Sequence, residues 1–165
     1  MKFGIITIAI IFSLQINSFS QELSAFETRT YIRNMLNKTN GLNFIGATSK
    51  KSFVVKNGEF RKEDDGYRCS YFADDELYSF ALIDLTILDH FELSPSQTED
   101  SPVRFMRIFL STASVSSRES GTTSTLNYFS FPFLNSGNNY EKLQKAFLHL
   151  AELERKSKPK DPFDN

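Results

Sequence analysis

The sequence has few of the residues that build disulfides, metal sites and phosphate loops. It contains one cysteine, two histidines, seven glycines and no tryptophan in 165 residues. A single cysteine, Cys69, excludes an intrachain disulfide and a multi-cysteine zinc site. The motifs G-x-S-x-G, H-E-x-x-H, C-x-x-C and the phosphate-binding glycine loop are absent. The sequence therefore predicts no cofactor and no metal, and an enzymatic activity is less expected than a binding role.

An excess of charge of either sign is also lacking. Lysine and arginine number 19, and aspartate and glutamate number 20. Such a balance provides no long-range attraction for nucleic acid or for an acidic membrane surface. We therefore expect the partner to be a protein or a small ligand, and not a nucleic acid.

The N-terminus carries the pattern of a secretory signal peptide. Lys2 precedes an apolar run over residues 3–14, and Ser18 and Ser20 place small residues before Gln21. An uncleaved membrane anchor would need about 20 apolar residues, which is more than this run provides. Residues 1–20 are therefore predicted to be removed during export to the periplasm or the exterior, leaving no stable membrane insertion.

The chain is rich in aromatic residues. Seventeen phenylalanines and six tyrosines supply enough apolar bulk for a core without disulfides. About 145 residues remain after signal removal, which suits one domain. We predict a single α+β domain over residues 21–156 and a flexible tail over 157–165. Cys69 is expected to be a small buried strand residue.

Two helices are predicted, one at each end of the domain. Ser24 and Glu27 have the spacing of a capping box, and apolar residues recur with helical periodicity until Asn40-Gly41, so the first helix should span residues 25–39. The second should span residues 140–156, with a capping box formed by Asn138 and Glu141. Its apolar stripe contains Leu143, Phe147 and Leu150.

Between the helices the periodicity is that of strands. Asn57-Gly58 predicts a two-residue type I′ turn that pairs Lys56 with Glu59 and Val55 with Phe60. Further turns are expected at residues 64–66 and 73–76. Residues 77–93 read as one strand or as two strands with a break near Asp84.

A loop over residues 94–102 leads into a predicted long hairpin. Its strands cover residues 103–115 and 123–133, with a turn at residues 116–121. Phe129, Phe131 and Phe133 share one face of the second strand. Pro132 cannot donate a ladder hydrogen bond, so this strand should lie at a sheet edge or be ending there.

The element order is thus helix, about seven strands and helix, with no helices between strands to form parallel crossovers. This predicts an antiparallel α+β fold, built as a sheet or as a bent barrel closed by the last helix. The order over residues 42–156 resembles the pleckstrin-homology-like superfold. That resemblance implies a fold and no function.

Asp84 and His90 are the candidate catalytic residues. A carboxylate and an imidazole are suited to general base catalysis or metal binding. On a continuous strand these two side chains share a face, whereas Asp89 points to the other side. A polar strand end facing solvent is the alternative interpretation.

His149 and a serine- and threonine-rich stretch are the other features of interest. His149 falls at the margin of the apolar stripe, so we expect a boundary residue whose ring lies against the sheet. Residues 111–127 contain ten serines or threonines, which is typical of a solvent-facing hairpin. The alternative is a hydroxyl-rich surface for a protein or a carbohydrate.

The C-terminal run YEKLQKAFLHLAELERKSKPKDPF contains Leu143, Ala146, His149-Leu150 and Leu153, and ends at Asp161-Pro162-Phe163. It resembles the end of a loose group of small uncharacterised exported bacterial proteins, which share a signal peptide, a capped first helix, a strand-rich middle and a K-A-x-x-H-L-type helix. The resemblance implies export and a scaffold role for the last helix. It implies no functional residue.

Three hypotheses follow. The first is an exported binding or interaction domain. The second is a hydrolase or metal-assisted enzyme that uses Asp84 and His90. The third is an accessory subunit of a cell-envelope complex that docks through the serine- and threonine-rich hairpin.

Overall fold

The computed structural model describes residues 23–119 and 121–158. The predicted signal peptide and most of the predicted tail lie outside these ranges. The elements, in chain order, are α1 (Ala25–Asn37), β1 (Asn43–Ile45), β2 (Ser52–Glu63), β3 (Gly66–Ala73), β4 (Glu76–Ile83), a 3-10 turn (Leu85–Ile87), β5 (Leu88–Leu93), β6 (Val103–Leu110), β7 (Val115–Glu119), β8 (Thr122–Leu126), β9 (Tyr128–Leu134) and α2 (Asn139–Ser157).

The strands form two antiparallel sheets. The larger sheet has the order β1-β2-β3-β4-β7-β8 and the smaller has the order β5-β6-β9. The α+β prediction is confirmed, and the described residues contain nine strands where about seven were expected. The sheets do not close into a barrel, so the open-sheet alternative holds and the bent barrel does not.

Helix α1 forms where the capping box predicted it. The Ser24 hydroxyl accepts from the backbone amide of Glu27, and the Glu27 carboxylate accepts from the backbone amide of Ser24. The helix ends at Asn37, two residues before the expected end. Thr39 lies beyond it, with its hydroxyl donating to the carbonyl of Leu36. The buried face packs against β2 and α2.

The predicted turn at Asn57-Gly58 is wrong, because these residues lie inside the continuous strand β2. Lys56 pairs with Phe72 and Glu59 pairs with Ser70 of β3, and the register shifts between them. The left-handed φ of +51° at Asn57 serves a β-bulge and not a hairpin. The expected cross-strand pairs therefore do not form. Val55 pairs with Ala73, and Phe60 pairs with Cys69.

The break near Asp84 is confirmed. Its carboxylate accepts from the amide of Thr86 at 2.9 Å and from the hydroxyl of the same residue at 2.6 Å, which starts the 3-10 turn. The chain therefore leaves the larger sheet after β4 and enters the smaller sheet at β5. The turns at residues 64–66 and 73–76 are also present.

The long hairpin exists, but its two arms are divided between the sheets. The predicted turn at residues 116–121 is wrong, because Val115–Glu119 forms strand β7. β6 pairs with β9 in the smaller sheet, and β7 pairs with β8 in the larger one. A bond of 2.7 Å from the Leu110 amide to the Asn127 carbonyl connects the two ladders. As predicted from Pro132, β9 lies at an edge of its sheet.

Helix α2 completes the core. Leu143, Phe147 and Leu150 are fully buried, as the apolar stripe predicted, and Phe147 meets the rings of Phe129 and Phe131 edge to face at 6.0 and 5.2 Å. The predicted capping box does not form. Asn138 is the N-cap, but its side chain makes no capping hydrogen bond.

Candidate functional site

A cleft of about 260 Å³ lies between the two sheets. Its floor and walls carry aromatic rings together with hydroxyl, amide and charged groups. They come from β1, β3, β4, β7, β8, β6, β9 and the loop before β6. The lining residues include Tyr71, Tyr78, Phe80, Ser94, Gln97, Phe105, Arg107, Ser117, Glu119 and Tyr128.

The larger sheet supplies one wall through rows of directly paired residues. Tyr71 pairs with Tyr78, and Tyr78 pairs with Glu119. Directly opposed residues point to the same face of a sheet, so these three side chains form one row. The two tyrosine rings are stacked at 5.4 Å. In the next row, Phe80 pairs with Ser117.

The smaller sheet supplies the opposite wall. Phe105 and Arg107 are two residues apart on β6 and therefore share a face. Arg107 is paired with Ser130, and its guanidinium lies over the Tyr128 ring, 5.3 Å from the centroid. The Phe105 ring reaches Tyr71 at 5.3 Å, which closes the bottom of the cleft.

The loop before β6 forms one end of the cleft. The hydroxyls of Ser94 and Ser96 are hydrogen-bonded to each other at 2.9 Å. Gln97 follows and is held by an isolated bridge to Gly46. Its side chain is 92% buried, with a residual exposure of 8%. The sequence predicted this segment only as a loop.

One buried polar group that lines the cleft lacks a partner among the described residues. Gln97 Oε1 accepts no hydrogen bond from the described residues. Tyr71 and Ser117, each 3% exposed, also line the cleft. An unpaired buried polar group costs about 1–3 kcal/mol. An unpaired buried acceptor beside a cleft is typical of a site completed by a ligand or by water.

The electrostatics of the cleft are set by two opposite charges that do not pair with each other. Arg107 forms no ion pair or hydrogen bond with the described residues, apart from its stacking on Tyr128. Glu119 is exposed and takes part in no ion pair there, but its carboxylate lies beside the Tyr78 hydroxyl and helps to raise the pKa of that group. Burial raises the pKa of Tyr71, and the nearby Glu119 carboxylate raises it further. Tyr71 therefore acts as a neutral hydrogen-bonding group.

Chemically, this arrangement offers groups for noncovalent contacts. It has aromatic faces, hydroxyls, an amide oxygen and one charge of each sign, but no imidazole and no thiol among its lining residues. Cys69 is fully buried, as predicted, and burial raises the pKa of its thiol. These features favour noncovalent recognition.

Asp84 lies away from this cleft, beside a charged depression near the end of α2. Besides Thr86, its carboxylate accepts from Lys158 Nζ at 3.1 Å. Burial raises the pKa of Asp84, but the hydrogen bonds from Thr86 and Lys158 outweigh it, so the pKa lies below the usual range. The geometry assigns Asp84 the capping of the 3-10 turn.

His90 lies on the exposed side of β5. Its Nδ1 is 2.9 Å from Asp89 Oδ2, and its ring stacks on Phe109 at 4.4 Å. The expectation that Asp89 points away from His90 is wrong, because the β5 register is irregular between Leu88 and Phe91. Among the described residues, no hydrogen bond or ion pair joins Asp84 to His90.

His149 is a boundary residue, but its ring does not lie against the sheet. Its Nε2 is 2.7 Å from the carbonyl oxygen of Leu23, just before α1. Leu23, Tyr31 and Ala146 border the same shallow apolar groove between the two helices. The expected position is corrected because α1 covers this flank of α2.

Glu154 was not singled out from the sequence, although it connects three elements. Its carboxylate accepts from Lys62 of β2 and from the Tyr67 hydroxyl of β3, and it lies 3.7 Å from Arg29 of α1. Burial raises the pKa of Glu154, but these cationic and hydroxyl partners lower it more, so the net pKa is below the usual range. This cluster holds α2 in place.

The serine- and threonine-rich stretch forms a hairpin at the end of the larger sheet; its β8 arm faces solvent as predicted, whereas Val115 and Ser117 of β7 are buried. In β8, Thr122 to Thr125 are exposed and Leu126 is half-buried. β8 is the last strand of its sheet. It carries neither the charges nor the proline that usually protect such an edge.

Comparisons with known proteins find no match. No protein family matches the chain, and neither a curated protein nor a solved structure shows significant similarity to it. Over residues 23–119 and 121–158, neither helix is long and apolar enough to span a membrane. In the same ranges, no three His, Cys, Asp or Glu side chains are grouped closely enough to hold a metal ion.

Proposed function

We propose that this protein is an exported binding domain that takes up a small ligand in the cleft between its two sheets. The observation that carries the proposal is an aromatic cleft that contains the buried, unpaired acceptor of Gln97 and the guanidinium of Arg107. Binding sites for small molecules are concave, mostly apolar and equipped with a few such polar groups. The volume lies slightly below the roughly 300–1,000 Å³ of drug-sized sites, which favours a small molecule.

The test is a fragment screen read out by protein NMR, with a variant that fills the cleft. Ser117→Leu adds bulk to a cleft-facing position of β7. Ser116→Leu is the matched control, because adjacent strand residues face opposite sides. We expect fragments to shift the resonances of cleft residues in the wild type and in the Ser116 variant, but not in the Ser117 variant. A library that shifts no cleft resonance would contradict the proposal.

Export is proposed from the N-terminal pattern and the resemblance of the C-terminal run. Mass spectrometry of the protein recovered from its native host would give an N-terminus at Gln21. A chain that retains residues 1–20 in the cytoplasmic fraction would overturn this part of the proposal.

The exposed edge of β8 supports docking to a larger assembly as a second function. An uncharged edge strand presents unpaired backbone groups that can pair with a partner's strand. Thr123→Lys together with Thr125→Lys places charges on this edge and is expected to release the protein from its complex on native gels. Thr112→Lys, in the loop before β7, is the control. Unchanged migration of the double variant would exclude the role.

A hydrolytic role for Asp84 and His90 gains no support from their surroundings. Each is held by different partners, and a general base must reach its partner directly or through one water. The binding role is therefore the one that the geometry supports best.

A further inference from the structure

We infer that the cleft is selective for a small zwitterion of the amino-acid type with an apolar side group. This inference rests on the proposed ligand-binding function and specifies the chemistry of the ligand. It starts from the two charges that line the cleft, Arg107 and Glu119, and from the unpaired oxygen of Gln97.

Arg107 is the group suited to the ligand's carboxylate. It is half-buried on β6, it is stacked on Tyr128, and within the described residues no carboxylate neutralises it. A guanidinium that lies over a ring still has donors for a ligand, and it can bind a carboxylate with two parallel hydrogen bonds.

Glu119 and Gln97 are suited to the ligand's ammonium group. Glu119 lies in the same row as Tyr71 and Tyr78 and forms no ion pair with the described residues. Gln97 Oε1 is a buried acceptor without a donor. The faces of the stacked tyrosines add a favourable surface for a cation.

The two charges belong to opposite walls, Arg107 to the smaller sheet and Glu119 to the larger one. They do not neutralise each other, since no ion pair joins them. A ligand with a single charge would satisfy one group and be repelled by the other. A zwitterion satisfies both, while Phe80 and Phe105 are placed to contact its apolar side group.

The probes are L-phenylalanine, 3-phenylpropionate, phenethylamine and the neutral 3-phenylpropanol, titrated by calorimetry and protein NMR. We expect L-phenylalanine to bind about tenfold or more tightly than either singly charged compound, because each charge-assisted hydrogen bond contributes about that factor. Arg107→Gln should weaken L-phenylalanine and 3-phenylpropionate but spare phenethylamine. Glu119→Gln should weaken L-phenylalanine and phenethylamine but spare 3-phenylpropionate.

Arg118→Gln is the matched control, since Arg118 is exposed on the other face of β7 and should leave every affinity unchanged. Equal affinities of the cleft for 3-phenylpropanol and L-phenylalanine would overturn the proposed selectivity for a zwitterion. They would leave the proposed binding function intact. If fragments occupy the cleft but none of the three charged probes binds, the zwitterion selectivity is likewise overturned and the binding function is retained. A cleft that binds no fragment at all would contradict both the proposed binding function and the proposed selectivity for a zwitterion.

Discussion

Phe147 is a central residue of the hydrophobic core. It is fully buried and touches the rings of Phe60, Phe129 and Phe131. Phe147→Ala should lower the free energy of unfolding by about 3–5 kcal/mol, because it leaves a cavity among rings that cannot collapse. Urea denaturation followed by circular dichroism measures this loss.

Two neighbours of Phe147 provide the controls. Leu148 is 48% exposed, so Leu148→Ala should change the stability by less than about 0.5 kcal/mol. His149→Ala removes one hydrogen bond to Leu23 and should cost about 1 kcal/mol or less. Equal unfolding midpoints for the Phe147 and His149 variants would contradict the assignment of the core.

His90 should titrate above an ordinary histidine. The hydrogen bond with Asp89 raises its pKa, and Glu92 adds to the effect. The interaction stabilises the fold fully below pH of about 6.5, the usual histidine value, and is lost as the pH rises through the higher folded pKa. Asp89→Asn should bring the pKa back toward that value in an NMR titration. An unchanged pKa would show that Asp89 is not the cause.

At the scale of elements, the pH dependence of stability should depend on the contacts that hold α2. Glu154 has a lowered pKa because Lys62, Tyr67 and Arg29 outweigh the effect of burial. Its contribution is therefore complete above the usual glutamate pKa of about 4.3 and disappears as the pH falls through the lower folded value.

Glu154→Gln should destabilise the protein by about 1–3 kcal/mol at pH 7 and by much less in acid. Glu152→Gln is the control, since Glu152 is exposed and pairs only across one helical turn with Lys156 at 2.8 Å, an interaction worth about 0.3–0.5 kcal/mol. Stability curves against pH that are parallel for the two variants would argue against this role of Glu154.

The helices were easier to predict than the strands, for physical reasons. Ser24 and Glu27 act over three residues, so local sequence suffices to place α1. Asn57-Gly58 correctly indicates a left-handed backbone conformation, which Asn57 adopts. A tight turn and a β-bulge can both contain that conformation. Only pairing with β3, a nonlocal partner, decides between them.

The cleft could not be predicted from the sequence. Arg107 and Glu119 are ordinary charged residues in alternating strands, and Gln97 lies in a segment that reads as a loop. Their meeting depends on the curvature of two sheets and on the division of one hairpin between them. The only local hint was the density of tyrosines and phenylalanines, which fits a core equally well.

At the scale of the whole molecule, the core is closed by the last element. Helix α2 packs on α1, on the 3-10 turn and on β9. A chain that ends at residue 138 would leave Phe60, Phe129 and Phe131 without their cover. We expect this truncated chain to lack a cooperative unfolding transition, whereas a chain ending at residue 158 keeps it. Calorimetry of the two chains distinguishes the outcomes.

The hairpin divided between the sheets also determines how the cleft moves. Its two walls are arms of the same hydrogen-bonded ribbon, joined by the bond from the Leu110 amide to the Asn127 carbonyl. Widening the cleft would require ladder bonds to break, so local opening is as costly as unfolding the region. The amide of Leu110 should therefore exchange with deuterium only on the timescale of global unfolding. Such a cleft would be rigid. It would select a molecule by its fit to the existing shape and not by closing around it.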